Sequence, residues 1–232
     1  MLFKSRLPAK LYKYLSAKSA KSFFENPEIR FTFSNRLNDP FDLAPVGAAY
    51  ATDHYGAIGV FCLSSTPVSM PMWAHYGDAG HGVVLEFRTD APFFEEHFPS
   101  QVKYRNSRPT VEDTMAALRV KSKEWAYEQE WRCFMTLPKN PRYFNQAAQA
   151  VCLPFPADAL TAIIYGHDST VSKEGRDFLS RIGGEGVQEL ICRVDPWEFK
   201  LNLRPPVGTN RHDIACNGHY CYLFTGMVIA NA

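Results

Sequence analysis

Two-residue alternation of apolar and polar side chains, confined to short runs, is the feature that most restricts how this chain folds. In "EIRFTFS", Ile29, Phe31 and Phe33 alternate with Arg30, Thr32 and Ser34. Successive side chains of a strand point to opposite faces, so this run reads as a half-buried strand. In "YEQEWRCFMTL", Gln129, Trp131, Cys133 and Met135 take one side and Glu128, Glu130, Arg132 and Phe134 the other. The first set is apolar enough to face a core, so the glutamates and the arginine face solvent or a cleft. "LYKYL", "AIGVFCLSS", "GVVLEF", "VKY", "LTAIIYG", "VQELICRV" and "WEFKLNL" read as further strands. Helices are few. "SAKSAKSFFEN" predicts one with Phe23 and Phe24 turned to the core, and "HDSTVSKEGRDFLSRIGG" another, capped by Ser169 or Thr170 and stopped at Gly183. A third would start at Thr110, place Val111, Met115 and Leu118 on one face, and run to about Trp125. Short strands with so few helices between them predict an α+β fold with mostly antiparallel pairing, not a doubly wound sheet.

Composition sets the scale. With 232 residues, 46% of them hydrophobic, the chain can bury one sizeable core without metal or disulfide, which predicts a single domain over residues 1–232. The net charge of +1 gives no field that would steer the whole molecule to nucleic acid, so such a partner needs a local patch. One candidate is the run Lys4, Arg6, Lys10, Lys13, Lys18 and Lys21, all ahead of the first acidic residue, Glu25; its plain reading is a solvated arm and helix face. No apolar stretch has the length of a signal peptide core or a membrane span, which predicts a cytoplasmic protein with no membrane partner. Cys62, Cys133 and Cys192 sit in runs that read as buried strands, as reduced thiols do. His212, Cys216, His219 and Cys221 crowd the tail, but their spacing matches no zinc ribbon or finger, and no metal site is expected there.

The dinucleotide-binding glycine fingerprint, the phosphate-binding loop and the serine nucleophile elbow are all absent. Three groupings are left. Ser64 ends the strand "GVFCLS", where a serine is ordinarily a satisfied polar residue. "PMWAHYGDAGHG" gathers Trp73, His75, Tyr76, Asp78 and His81. Its glycines predict a loop; His75, Asp78 and His81 would be the ligands of a metal-assisted hydrolase, whereas Trp73 and Tyr76 suit a wall that stacks on a flat ring, with His75 as hydrogen-bond donor or pH-sensitive group. Glu128 and Glu130, two apart on one strand face, repel unless Arg132 or a ligand compensates. Aimed into a cleft, such a pair can hold a sugar hydroxyl and steady positive charge at the neighbouring carbon.

In chain order, "LYKY", "RFTFSNRLNDPFD", "GVFCLS", "MWAHYGDAGHGVVLEF" and "KEWAYEQEWRCF" resemble a bacterial family catalogued as domain of unknown function two-nine-seven-one, over about residues 11 to 170. The layout also resembles the ADP-ribosyltransferases that use NAD. In that group an early strand bears a polar or aromatic residue, a middle strand a serine, and a late strand a glutamate, often as E-x-E. Tyr12 or Lys13, Ser64, and Glu130 with Glu128 take those places, with a tyrosine or lysine where the group usually has arginine or histidine. This resemblance implies two packed, mainly antiparallel sheets around a central cleft. It also implies NAD as substrate, a protein or nucleic-acid acceptor, and a setting in phage defence or a toxin system. Glu130 would grip the ribose 2′-hydroxyl, Glu128 would position or deprotonate the acceptor, and Ser64 would orient the nicotinamide ribose. Trp73, His75 and Tyr76 would flank the base, and Lys13 and Arg36 would meet the pyrophosphate. The other readings are a non-catalytic nucleotide- or partner-binding module and the hydrolase already mentioned.

Overall fold

In a computed structural model of the chain, the residues described are 7–39, 41, 58–107, 117–136, 143–145 and 150–206. Strands β1 (Lys10–Leu15), β2 (Glu28–Phe33), β3 (Ile58–Ser64) and β4 (Val83–Arg88) come first, followed by the short β5 (Ser100–Gln101), β6 (Lys103–Arg105) and β7 (Val120–Ser122). Next are β8 (Glu130–Thr136), β9 (Phe144–Asn145), β10 (Ala150–Pro154), β11 (Leu160–Tyr165), β12 (Gln188–Val194) and β13 (Leu201–Arg204). The helices are α1 (Ala17–Glu25), α2 (Met70–His75), α3 (Pro92–Glu96) and α4 (Ser172–Ile182).

Eleven strands form one large sheet in the order β13-β12-β11-β4-β1-β3-β2-β10-β9, with β8 on β3 and β5 on β8. Pairing is antiparallel except between β11 and β12, which α4 connects, and in the separate β6–β7 ribbon. The mixed, mainly antiparallel class is as expected. Among the described residues the sheets are unequal, not a matched pair: eleven strands share one sheet that branches at β3, and the second sheet is the two-stranded β6–β7 ribbon. One edge of β3 pairs along its whole length with β8, from Ile58↔Thr136 to Ser64↔Glu130. The other edge is divided, with β1 joined only at Tyr12↔Ser64 and β2 only at Thr32↔Val60 and Phe33↔Gly59. Between these contacts β1 and β2 diverge, and the Lys13 ammonium donates to the Cys62 carbonyl at 3.1 Å, satisfying a β3 group that has no ladder partner in the gap.

Period-two patterning sorts the two faces. Leu11, Ile29, Phe31, Phe61, Leu63, Leu85, Phe87, Trp131 and Cys133 point to the main core, with Phe23 and Phe24 of α1, Phe94 of α3 and Phe178 of α4 over them. The opposite face carries a smaller cluster of Tyr14, Met72, Trp73, Val84, Ile164 and Cys192, and the polar side chains of β3 and β8. Ser16 caps α1 by accepting from the Ser19 N–H at 3.2 Å.

Several local expectations change. Residues 120–128 are β7 and a 3₁₀ segment, not the end of a helix; Thr110, Val111 and Met115 lie outside the described residues, as does the tail with His212, Cys216, His219 and Cys221. Trp197 and Phe199 are exposed in the turn before β13, and only Leu201–Arg204 is strand there. Neither Ser169 nor Thr170 caps α4, which starts after Val171. The stretch read as a loop contains α2, with Ser69 as its cap and Pro71 in the first turn.

The glycines after α2 serve close backbone approach. A Cβ on Gly82 would lie 2.0 Å from the Leu15 carbonyl oxygen, and one on Gly166 would lie 2.0 Å from that of Gly80. Since both obstacles are backbone, Gly166→Ala is expected to destabilise the protein by about 1–3 kcal/mol in thermal melts, as overpacking does.

Candidate functional site

The divergence of β1 and β2 opens a cleft of about 200 Å³ on the polar face, floored by β3 and β8. Tyr12, Lys13, Arg36, Ser64, Tyr76, Glu128 and Glu130 line it, together with Asn38, Lys121 and Arg132. Tyr12, Ser64 and Glu130 form one row across the sheet, because Tyr12 and Ser64 are register partners and so are Ser64 and Glu130. Arg36 ends a 3₁₀ turn that extends β2 and brings Leu37 and Asn38 over the cleft.

Both carboxylates are buried. Glu130 receives Arg132 through both oxygens, Nε to Oε1 at 2.8 Å and Nη2 to Oε2 at 3.0 Å. Arg132 is wholly buried, and its Nη1 donates to the Leu118 carbonyl at 2.8 Å. Lys121 lies between the acids, 2.6 Å from Glu128 Oε2 and 3.5 Å from Glu130 Oε2, with its ammonium over the Trp125 ring. The Tyr76 hydroxyl donates to Glu128 Oε1 at 2.6 Å and accepts from Asn38 Nδ2. The Glu130 N–H donates to the Tyr104 hydroxyl at 2.8 Å.

This arrangement drives the two acids apart. Burial pushes the Glu130 carboxyl up, but the charges of Arg132 and Lys121 and a hydrogen bond from the Cys62 thiol outweigh it and hold the acid down at about 2. Burial and the neighbouring Glu130 charge raise Glu128 above the ordinary carboxylate range, against the pull of Lys121. Burial also lifts the Tyr12 phenol, with Glu86 adding to the effect, to about 12. Two titratable groups moved in opposite directions at one site are what acid–base chemistry needs: a fixed anion beside a group that exchanges protons nearer neutrality.

Glu128 and Glu130 were expected as alternate residues of one strand. Gln129 instead takes a left-handed conformation (φ 46°), so Glu128 closes a 3₁₀ turn and Glu130 opens β8; the acids still converge, through Lys121. The solvated-face reading of this pair does not hold, since the ion pair with Arg132 is internal.

Two residues expected to flank a base lie elsewhere. Trp73 is buried against Tyr14 in the smaller core, and its indole N–H donates to the Pro67 carbonyl at 2.8 Å. An indole this apolar gains more from packing under α2 than from lining a wet cleft. His75 is exposed at the rim, its Nδ1 hydrogen-bonded to the Tyr127 hydroxyl at 2.8 Å, and of the three ring residues only Tyr76 faces the acids.

The proposed metal ligands do not converge either. Asp78 accepts from the Ala17 N–H, His81 bonds the Asp168 carbonyl, and no group of three or more metal-binding side chains occurs among the described residues. Lys121 and Asn38 were not expected at the site. Lys121 was hidden by the helix reading, although two buried glutamates demand more positive charge than Arg132 alone supplies.

Residues 72–133, from α2 to the middle of β8, match the model of the family described as "Protein of unknown function (DUF2971)". This is the family that the motifs resemble, and the matched stretch carries Tyr76, Lys121, Glu128, Glu130 and Arg132. No curated protein and no solved structure matches the chain. No helix among the described residues is long and apolar enough to cross a membrane.

Proposed function

We propose that this protein is an NAD-dependent mono-ADP-ribosyltransferase acting on a macromolecular acceptor. The observation that carries the reading is the row Tyr12, Ser64 and Glu130 on three adjacent strands at the mouth of a divided sheet. An aromatic residue, a serine and a glutamate in that order are the layout of the NAD-using transferases that the sequence resembles. In this reading the bond between the nicotinamide nitrogen and the ribose C1′ breaks, the nitrogen keeps the electron pair, and positive charge spreads over C1′ and the ring oxygen. Glu130, ionised throughout the neutral range, stabilises that charge and accepts from the 2′-hydroxyl. The acceptor then bonds to C1′ and loses a proton to Glu128, whose raised pKa makes it the better base. Ser64 orients the ribose, Tyr12 and Tyr76 bound the ring site, and Arg36 and Lys13 meet the pyrophosphate.

The rival reading, a binding module that holds a nucleotide without cleaving it, draws on one observation of its own: Arg132 and Lys121 already occupy both oxygens of Glu130. One experiment separates the two. Purified protein is incubated with adenylate-labelled NAD and lysate, with nuclease and protease controls, beside Ser64→Ala and Glu130→Gln. Transfer by the wild type that both substitutions abolish is the expected result. Transfer that survives Glu130→Gln overturns the site, and saturable binding of NAD without turnover selects the binding module.

A further inference from the structure

The gap between β1 and β2 also leads out of the cleft in another direction. It continues into an open groove of about 800 Å³ along α1 and β2, which shares Lys13, Tyr14, Thr32 and Tyr76 with the cleft. Lys13, Lys18 and Arg30 give the groove three cations against one carboxylate, Glu28, among its described lining residues. Ser16, Ser19 and Ser22 of the first turns of α1 add a line of hydroxyl groups. Lys18 and Arg30 are exposed, as is Lys21, one turn on from Lys18 along α1. The basic run of the N-terminal sequence is thus partly gathered along a path to the acids.

His75 lines the groove, and the rings of Tyr127 and Trp125 follow from it, with successive centroids 5.5 Å and 6.1 Å apart. His75 is exposed and the other two are partly exposed, and Tyr127 directly precedes Glu128. A cationic track ending on one exposed and two half-exposed rings is an arrangement that holds single-stranded nucleic acid: lysine and arginine follow the backbone, and unpaired bases stack on the open ring faces without a sequence code. A protein acceptor would be served by neither feature in particular, and a duplex keeps its base faces covered.

We infer that the groove and ring ledge bind single-stranded nucleic acid and lead one unpaired base to Glu128 as the acceptor. The inference rests on the transferase reading for the chemistry, but its binding step stands apart from it.

The test measures binding without NAD, by fluorescence anisotropy of labelled 20-nucleotide oligo-dT and oligo-U and of a 20-base-pair duplex. The expected result is a Kd of about 1–100 µM for the single strands at physiological salt, with weaker binding of the duplex. The surface variant Lys18→Glu/Arg30→Glu is expected to bind at least tenfold more weakly. Its salt dependence should flatten by about 1.4 in log Kd against log salt, as for two lost single-strand phosphate contacts. Tyr127→Ala is expected to lose about tenfold with the slope unchanged, because stacking releases no counterions. Equal binding by the charge-reversed variant overturns the inference, as does inorganic polyphosphate competing as well as the oligonucleotides. A protein that modifies only polypeptides and binds no oligonucleotide would also sink it while leaving the transferase reading intact; oligonucleotide binding by a protein that never consumes NAD would do the reverse.

Discussion

Arg132→Met is expected to lower stability by about 3–5 kcal/mol, a fall of about 10 °C in melting temperature for a chain of this size. The cost does not come from the net worth of the ion pair, since two buried charges barely recover their desolvation from each other. It arises because the substitution leaves Glu130 buried without its bidentate partner and the Leu118 carbonyl without a donor. The same account makes Glu130→Met/Arg132→Met milder than Arg132→Met alone, because Lys121 and Glu128 still neutralise each other and the interior gains two flexible apolar side chains. Arg132→Lys should not rescue the site, because one ammonium cannot reproduce the fork that meets both oxygens and the carbonyl. Additive effects in the double variant would show that the pair is not coupled.

The acid limb of the stability curve carries the same signature. Glu130 has a folded-state pKa of about 2 against an ordinary value of 4.5. Its contribution is therefore complete above 4.5 and is lost as pH falls from there toward 2. The Glu130→Met/Arg132→Met variant lacks this group and should show a shallower loss across that window in urea titrations at stepped pH.

The strand pattern was the readable part of the fold. Ile29, Phe31 and Phe33 face the core as their alternation demands, and Trp131 and Cys133 do so on β8. The branching of the eleven-stranded sheet was not readable, because it depends on β3 dividing one edge between two strands, and alternation carries no information about which edge pairs with what. Trp73 looked like a ligand wall because polar residues surround it in sequence. It is a core residue because α2, a six-residue helix too short for a periodic signal, turns it inward. Glu128 and Glu130 were found together for an incomplete reason. An unbroken strand would also have put them on one face, but the left-handed Gln129 separates their elements, and a non-glycine residue in that conformation has no local signature. Ser64 and Glu130 stand 66 positions apart in the chain, and only the β3–β8 register makes them neighbours.

On the proposed transferase reading, Glu130→Gln is expected to lower kcat for NAD cleavage by at least about 100-fold with little change in KM, the loss seen when a group that acts mainly in the transition state is removed. The amide can still accept a hydrogen bond from a ribose hydroxyl, so ground-state binding survives, but it offers no charge to the oxocarbenium-like sugar. Because Arg132 then loses its counter-charge, the assay has to run well below the variant's own melting temperature. Ser64→Ala provides the companion case, since its small buried hydroxyl can be removed without stranding a charge.

Glu128→Gln should separate the two half-reactions. On the transferase reading, transfer to the acceptor should fall about 100-fold or more for want of a base, while slow hydrolysis of NAD, which in that reading needs only Glu130, should continue. The pH profile gives the sign. As the base of the proposed transfer Glu128 would work as the anion, and burial raises its pKa from the ordinary 4.5, so wild-type transfer should rise with pH along a limb beginning above 4.5. Glu128→Gln should lack that limb. If Glu128→Gln transfers at the wild-type rate with the limb intact, the proton goes elsewhere, and Glu128 is left as a structural partner of Lys121 and Tyr76.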